Sequence, residues 1–478
     1  MGSWHVLSVK APILPVHAAL LHTGKVFFFA GSGNDPSNVA IPNGSVVWDV
    51  SAGTFTRPVT PLTGLGQPLD VFCAGQSFRS DGQLMVAGGT LRYDPFQGLA
   101  TALFFDPSTA HWITKPAMNN GRWYPTLLTL GSGRIFALSG LGTNGQLNVQ
   151  PEIYSPTFAK GWNAFPRTSA LPLFAHLFLL RDGRIFFSGG CMGGNNGVTP
   201  RTLTLPGTFS QAITERPVSG LVAAAASDQA ASVLLPPAQD QKVMIMGGGS
   251  GGTAVNRVAI VDLKATTPAY TSAPSLQFAR MHLGAVLLPD RTVFVCNGSR
   301  MDENTRTSML PAEIYHPAAN KWTTVEAPTV PRVYHSVALL LPDGRVVTAG
   351  GNPQRGSNEL RLEIYSPSYM AHPRPVIQRA PPKTTYGAAL TIQTPAAGNI
   401  KWVSLIRPSA NTHSCDTEQR LVDLPIVART RTSLTVTVPS TASRTVVSKG
   451  NLAPPGYYML FITDNKGIPS IASWIHLA

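Results

Sequence analysis

Residues 339–351, LLLPDGRVVTAGG, read as an apolar strand, an Asp-Gly turn, a second apolar strand and a stop of small residues. An Asp-Gly pair between apolar runs marks a tight β-hairpin, because glycine adopts the positive φ that such a turn demands. The pattern recurs at 20–32 (LLHTGKVFFFAGS), 77–89 (SFRSDGQLMVAGG), 128–140 (LTLGSGRIFALSG), 178–190 (FLLRDGRIFFSGG), 237–249 (PAQDQKVMIMGGG) and 287–299 (LLPDRTVFVCNGS). With Gly24, Gly82, Gly133, Gly183, Gln241, Arg291 and Gly344 as turn markers, the seven copies are spaced by 58, 51, 50, 58, 50 and 53 residues. A period near fifty residues places one supersecondary unit in each copy, so the repeat decides the fold.

After several of these stops comes a second strand pair, as in TALFFDPSTAHW (101–112), PEIYSPTFAKGW (151–162) and PAEIYHPAANKW (311–322). Each unit then has four strands. One such sheet cannot bury both its faces alone, whereas seven stacked around an axis can. The expected fold is all-β: a seven-bladed kelch-type β-propeller over residues 1–370, closed by an N-terminal strand around Trp4 to Val9 that completes the last blade. The Pro-rich stretch AHPRPVIQRAPPK (371–383) reads as a junction. Beyond it, the alternating runs KWVSLIR, QRLVDLPIVA, SLTVTV and GYYMLFITD predict an immunoglobulin-like β-sandwich over 371–478. Between the first two of these runs lies a long polar loop, PSANTHSCDTE (408–418).

Composition agrees with a turn-rich, strand-rich chain. Of 478 residues, 44 are Gly and 41 Pro, and only 13% are charged, about half the usual ~25%. Apolar runs such as 337–341 and 457–462 are strand-sized, far short of the ~18 residues of a membrane helix, so no membrane span is expected. The start, MGSWHVLSVK, lacks the apolar core of a signal peptide, which leaves open whether secretion does not apply or a presequence is missing. The net charge of +13 would favour an anionic partner such as an acidic glycan surface. The Lys and Arg residues are nevertheless scattered singly and no base-reading motif is present, so nucleic acid is not expected as a partner.

Nine residues before the turn markers lie Pro15, Cys73, Tyr124, Phe174, Ser232, His282 and His335, where the innermost strand of each blade should begin. A thiol, a phenol and two imidazoles at one level of a ring form a candidate metal site. Soft sulfur and neutral imidazole suit copper, zinc satisfies the same ligand types, and the lack of carboxylates argues against calcium or magnesium. Read singly, each of these residues is equally an ordinary packed core residue. Cys191 and Cys296 read as small core residues, and Cys415, in the long loop, as a bystander or an alternative ligand. His17 and His176, seven rather than nine residues before their turns, should point elsewhere along their strands.

Four motifs, DVFCAG with Cys73, GRWYPT with Tyr124, RVYHSVALLLPDGRV with Tyr334 and His335, and SLIRPSANTHSCDTEQR with His413, resemble in order those of the copper radical oxidases, the galactose oxidase and glyoxal oxidase family. The resemblance implies copper held by Tyr124, Tyr334, His335 and His413, and a Cys73-Tyr124 thioether whose tyrosine carries a radical. It implies that Tyr334 takes the substrate's proton, that the Tyr124 radical takes a hydrogen atom, and that dioxygen leaves as hydrogen peroxide. It also implies an extracellular or cell-envelope monomer. In galactose oxidases a Trp supplied just after the third stop stacks on the thioether; here that stretch, SGLGTNG, holds Leu141 and Gly142. Trp123 gives a pattern closer to the glyoxal oxidases, although adjacent side chains normally point apart. The expected substrates are small aldehydes, as hydrates, or primary alcohols, with a galactose oxidase-like carbohydrate alcohol as the alternative. Phe174, His282 and Trp123 are the candidates for lining the substrate pocket. A non-catalytic kelch-type propeller binding glycan or protein is the rival from another class.

Overall fold

The computed structural model describes residues 2–39, 44–62, 66–193, 196–439 and 450–478. Its regular structure is β-strands and short 3-10 turns. Six antiparallel sheets of four strands, and a seventh extended to six, follow the repeat along the chain. Each first strand, such as Gly75–Phe78 or Thr126–Thr129, is fully buried, because apolar or small side chains occupy both of its faces. The outer strand Lys321–Val325, by contrast, has every side chain at least partly exposed. This gradient places the core at the centre of the assembly and leaves the rim to polar residues.

First strands of consecutive sheets pack on one another: Gly75–Phe78 on Thr126–Thr129, Gly284–Leu287 on Ser336–Leu340, and Ser336–Leu340 on His17–Leu20. The last of these contacts joins the final repeat to the first. The strand Ser3–Lys10 pairs antiparallel with Arg361–Ser366 and so supplies the outer strand of the final sheet. Both chain ends of the repeat region are thereby locked into one sheet.

The C-terminal residues form a five-stranded sheet that includes Ile400–Ile406 and Gly456–Asp464, and a three-stranded sheet made by Ala389–Gln393, Ser433–Thr437 and Ile426–Arg429. Leu390, Ile392, Leu434 and Val436 of the smaller sheet share a core with Val403, Leu405, Leu460 and Ile462 of the larger. That core also takes in Val243, Ile245 and Val261 of the fifth repeat. The interface with the repeat region is therefore apolar and continuous.

The long polar loop is the feature that positions a site. It folds as a hairpin, Ala410–Thr412 against Cys415–Asp416, and adds to the inner strand His17–Leu20 of the first sheet. Along its length it reaches most of the repeats. The Gln76 amide donates to Asn411 O (3.0 Å), the Thr412 hydroxyl to Val16 O (3.0 Å), the Thr417 hydroxyl to Leu127 O (2.8 Å) and the Gln419 amide to Ala285 O (2.8 Å). Glu418 accepts from the Ser77 hydroxyl, from Phe78 N–H at 3.1 Å and from Arg407, whose side chain is itself buried. A polar segment can run through the centre of the molecule because its hydrogen-bonding groups find protein partners.

Candidate metal centre

Six residues that lead into the first strands of their sheets share an uncommon backbone conformation. Cys73 (φ 61°), Tyr124 (63°), Phe174 (40°), Gln229 (56°), His282 (61°) and His335 (60°) are all left-handed, each just before a first strand. Non-glycine residues seldom adopt this region, and when they do their side chains are re-aimed out of the strand's alternation. Backbone hydrogen bonds hold the turns together: Tyr124 N–H to Cys73 O (2.9 Å), Phe174 N–H to Tyr124 O (2.9 Å) and His282 N–H to Gln229 O (3.0 Å). In the fifth repeat Gln229 therefore holds the place that nine-residue counting assigned to Ser232. The 3-10 turn Ala238–Asp240 lengthens that hairpin, and Ser232 lies inside the strand Ala231–Leu234.

His413 arrives at the tip of the hairpin. Thr412 pairs with Cys415, so His413 (φ 49°) and Ser414 (61°) are the two left-handed residues of a tight turn. Such a turn ordinarily takes Asn-Gly. A histidine tolerates it here because the hairpin is fixed to neighbouring sheets along both arms.

The side chains converge. Cys73, His335 and His413 offer ligand atoms that all lie within 4.8 Å of one another, and all three residues are buried. Cys73 Sγ is 3.9 Å from His413 Nε2 and interacts with the Tyr124 side chain. The Tyr124 and Tyr334 hydroxyls share a short hydrogen bond. The His413 ring stands 4.7 Å from both the Tyr124 and His335 rings and 5.6 Å from the Tyr334 ring. The structure thus brings together all five residues of the four motifs.

The tautomers follow from the surrounding hydrogen bonds. Asn352 spends its amide N–H groups on Gln354 O, Ser357 O and Asn358 Oδ1, so its Oδ1 must accept, and it does so from His335 Nδ1–H at 3.2 Å. The Thr412 hydroxyl donates to Val16 O and therefore accepts from His413 Nδ1–H at 2.6 Å. Both imidazoles are left with an Nε2 lone pair directed at the centre. His335 Nε2 is buried with no protein partner. Burial holds the His335 pKa at about 3 and His413 well below its ordinary value, and it raises the Cys73, Tyr124 and Tyr334 pKa values well above theirs. Two neutral imidazoles and two phenols, free of carboxylates, fit a cation of copper type, whose charge would supply what the apolar surroundings withhold.

Trp123 lies flat on Tyr124, with ring centroids 3.7 Å apart and planes 8° from parallel. This corrects the expectation that the neighbouring side chain points away. Alternation holds for extended backbone, and Tyr124 is left-handed. Phe96 stacks on the far face of the indole at 4.1 Å, and Leu141 pairs with Trp123 through the backbone. Phe174 stacks on His413 at 4.8 Å, and the His282 ring is 5.3 Å from that of Tyr334. His17, set apart from the site by its strand position, has its ring 6.0 Å from that of His413. Sequence reasoning missed Phe96, Gln229 and three buried arginines. Arg122, Arg280 and Arg332 precede Tyr124, His282 and His335, and tie those turns to carbonyls of their own sheets. Arg122 pairs with Glu152 and Arg280 with Glu313. The repeated Glu-Ile-Tyr of the third strands carried the signal for these pairs.

Comparison with known proteins agrees with this geometry. Residues 16–369 match the Glyoxal oxidase N-terminus family and residues 374–477 the Galactose oxidase-like, Early set domain family. The chain is 28% identical to a galactose oxidase of Gibberella zeae, over 100% of this chain and 71% of that protein. It is 27% identical to an aldehyde oxidase, GLOX, of Vitis pseudoreticulata, over 100% and 97%. A solved fungal alcohol oxidase of the AA5 family, in complex with copper, superposes with a TM-score of 0.82 at 25% identity, covering 100% of this chain and 99% of that one. With both family matches laid end to end over nearly the whole sequence, this chain belongs to the galactose oxidase and glyoxal oxidase family of copper radical oxidases.

Proposed function

We propose that the protein is a mononuclear copper radical oxidase, with Tyr124, Tyr334, His335 and His413 as ligands and Cys73 joined to Tyr124 by a thioether. The observation that carries this reading is the convergence of two Nε2 lone pairs, two hydrogen-bonded phenols and one thiol in a single buried pocket. The seven sheets are read as the blades of a propeller over residues 1–370, and residues 371–478 as an immunoglobulin-like domain that lends His413. The family matches, which end at 369 and resume at 374, support that division.

Copper bound here would supply a Lewis acid and a one-electron acceptor, the modified Tyr124 providing for the second electron. Tyr334, only partly buried, would take the proton of a substrate hydroxyl as the phenolate that a bound copper would favour, the proton leaving in the end on hydrogen peroxide. Tyr124, in its radical form, would take a hydrogen atom from the adjacent carbon. Trp123 and Phe96 cover its ring and exclude water from it. Overall, an aldehyde hydrate and dioxygen yield a carboxylic acid and hydrogen peroxide, or a primary alcohol and dioxygen yield an aldehyde and hydrogen peroxide. Small aldehydes are the preferred class, since the indole over Tyr124 comes from residue 123 and not from the stretch after the third stop. An extracellular or cell-envelope location follows from the same reading; among the described residues no helix is long and apolar enough to cross a membrane.

The test is peroxide release by copper-loaded protein with glyoxal, methylglyoxal, primary alcohols and galactose under oxygen. Turnover highest on the aldehydes is expected. Absence of peroxide with every member of the panel contradicts the oxidase reading.

A further inference from the structure

Beside Tyr334 the surroundings turn acidic. Asp302 Oδ1 is 3.1 Å from His282 Nε2; Asp228 interacts electrostatically with both, and Glu303 with Asp302 and Tyr334. Among the described residues no Lys or Arg forms an ion pair with any of these three carboxylates. That is unexpected in a chain with net charge +13.

The wall is rich in acceptors as well as charge. Gln229, only 7% exposed, interacts with Asp302, while its Oε1 is buried without a partner. His282, whose Nε2–H faces Asp302, presents Nδ1 as a further acceptor. An orphaned buried acceptor is unfavourable unless a ligand satisfies it. A single metal ion is a poor occupant, because the cluster of ligand atoms close enough to share one comprises Cys73, His335 and His413 and none of these carboxylates. A compact donor on a flexible molecule, with one positive charge and several N–H groups, suits spread acceptors better.

We propose that Gln229, His282, Asp302, Asp228 and Glu303 form a subsite for the ammonium group of an amino-substituted alcohol or aldehyde, whose hydroxyl end would be presented to Tyr334. This rests on the oxidase reading for the reacting end only. The ammonium subsite exists in the polypeptide with or without copper.

The experiment compares 4-amino-1-butanol, 1,4-butanediol and 4-hydroxybutanoate, matched in length. Calorimetric binding to the copper-free protein is expected to favour the amino alcohol over the diol by about tenfold and the hydroxy acid least, as charge-assisted hydrogen bonds require. Asp302→Asn and Glu303→Gln should each narrow the preference to about threefold or less, whereas Asp182→Asn at a distant turn should leave it intact. Gln229→Ala serves if an acidic-residue variant fails to fold. With copper-loaded protein, the ratio of kcat/KM for the amino alcohol to that for the diol should follow the same order. Equal binding of the amino alcohol and the diol, a preference that survives both acidic-residue variants, or displacement of the amino alcohol by equimolar magnesium would each overturn the proposal. Because binding is read without copper, that outcome is distinct from a failure to release peroxide.

Discussion

At the residue scale the site depends on backbone that most side chains avoid. Six left-handed positions each cost on the order of 1–3 kcal/mol, and their common effect is to turn a thiol, a phenol, a phenyl ring, an amide and two imidazoles toward one axis. The hydrogen bonds behind the imidazoles then fix which nitrogen faces inward. Asn352→Leu should leave His335 in place but free to rotate, lowering copper affinity about 10–100-fold, as titration calorimetry would measure; unchanged affinity would show that Asn352 does not set the tautomer. Trp123→Leu removes the ring that lies on Tyr124, and is expected to retain copper while the oxidised protein's optical radical band decays faster than in the unaltered protein. Cys73, Tyr124 and His335 were marked in the sequence by motif and repeat position together, Tyr334 and His413 by motif alone. Gln229 was not, since one extra turn in the fifth hairpin breaks the count. Phe96 was not either, since only the folded loop carries it to the indole.

At the scale of elements, the hairpin Ala410–Asp416 joins the C-terminal sheets to the first sheet of the repeat. Its polar length made it conspicuous in the sequence, and His413 at its tip was readable from the surrounding motif. Its pairing with the first inner strand was not, because nothing in PSANTHSCDTE alternates as a strand does. The anchor beneath it is Glu418, buried with Arg407 between the second and third sheets and the C-terminal domain. Glu418→Ala leaves a buried guanidinium unpaired and should cost about 3–5 kcal/mol, readable as a lowered midpoint in urea. The same variant should loosen His413 and weaken copper binding. Retention of both stability and affinity would mean that the hairpin is held by its backbone contacts alone.

At the scale of the whole molecule, the repeat explains composition and stability together. Gly and Pro collect in the turns and stops of seven sheets, and the low share of charge follows from first strands that are buried on both faces. Burial also sets a response to acid. His176 and His335 are each held at a pKa of about 3 by burial, below the ordinary 6.5. The unfolded chain therefore binds protons that the folded one refuses as pH falls below 6.5, so this contribution is complete above 6.5 and lost progressively toward 3. Thermal midpoints of the copper-free protein should fall over that window. His176→Phe, away from the candidate metal centre, should flatten the fall, and an unchanged slope would assign the acid response to other groups. The net positive charge was legible as a number but not as a distribution, since only folding gathers Asp228, Asp302 and Glu303 together in a basic protein.

The central claim is that Cys73 and Tyr124 become one cofactor. It is tested most directly by mass spectrometry of the proteolysed protein after exposure to copper and oxygen. The account predicts a single linked species containing the Cys73 and Tyr124 peptides, lighter by a pair of hydrogen atoms than their sum and absent from protein kept free of copper. Full alkylation of Cys73 as a free thiol in the denatured, copper-treated protein would contradict it.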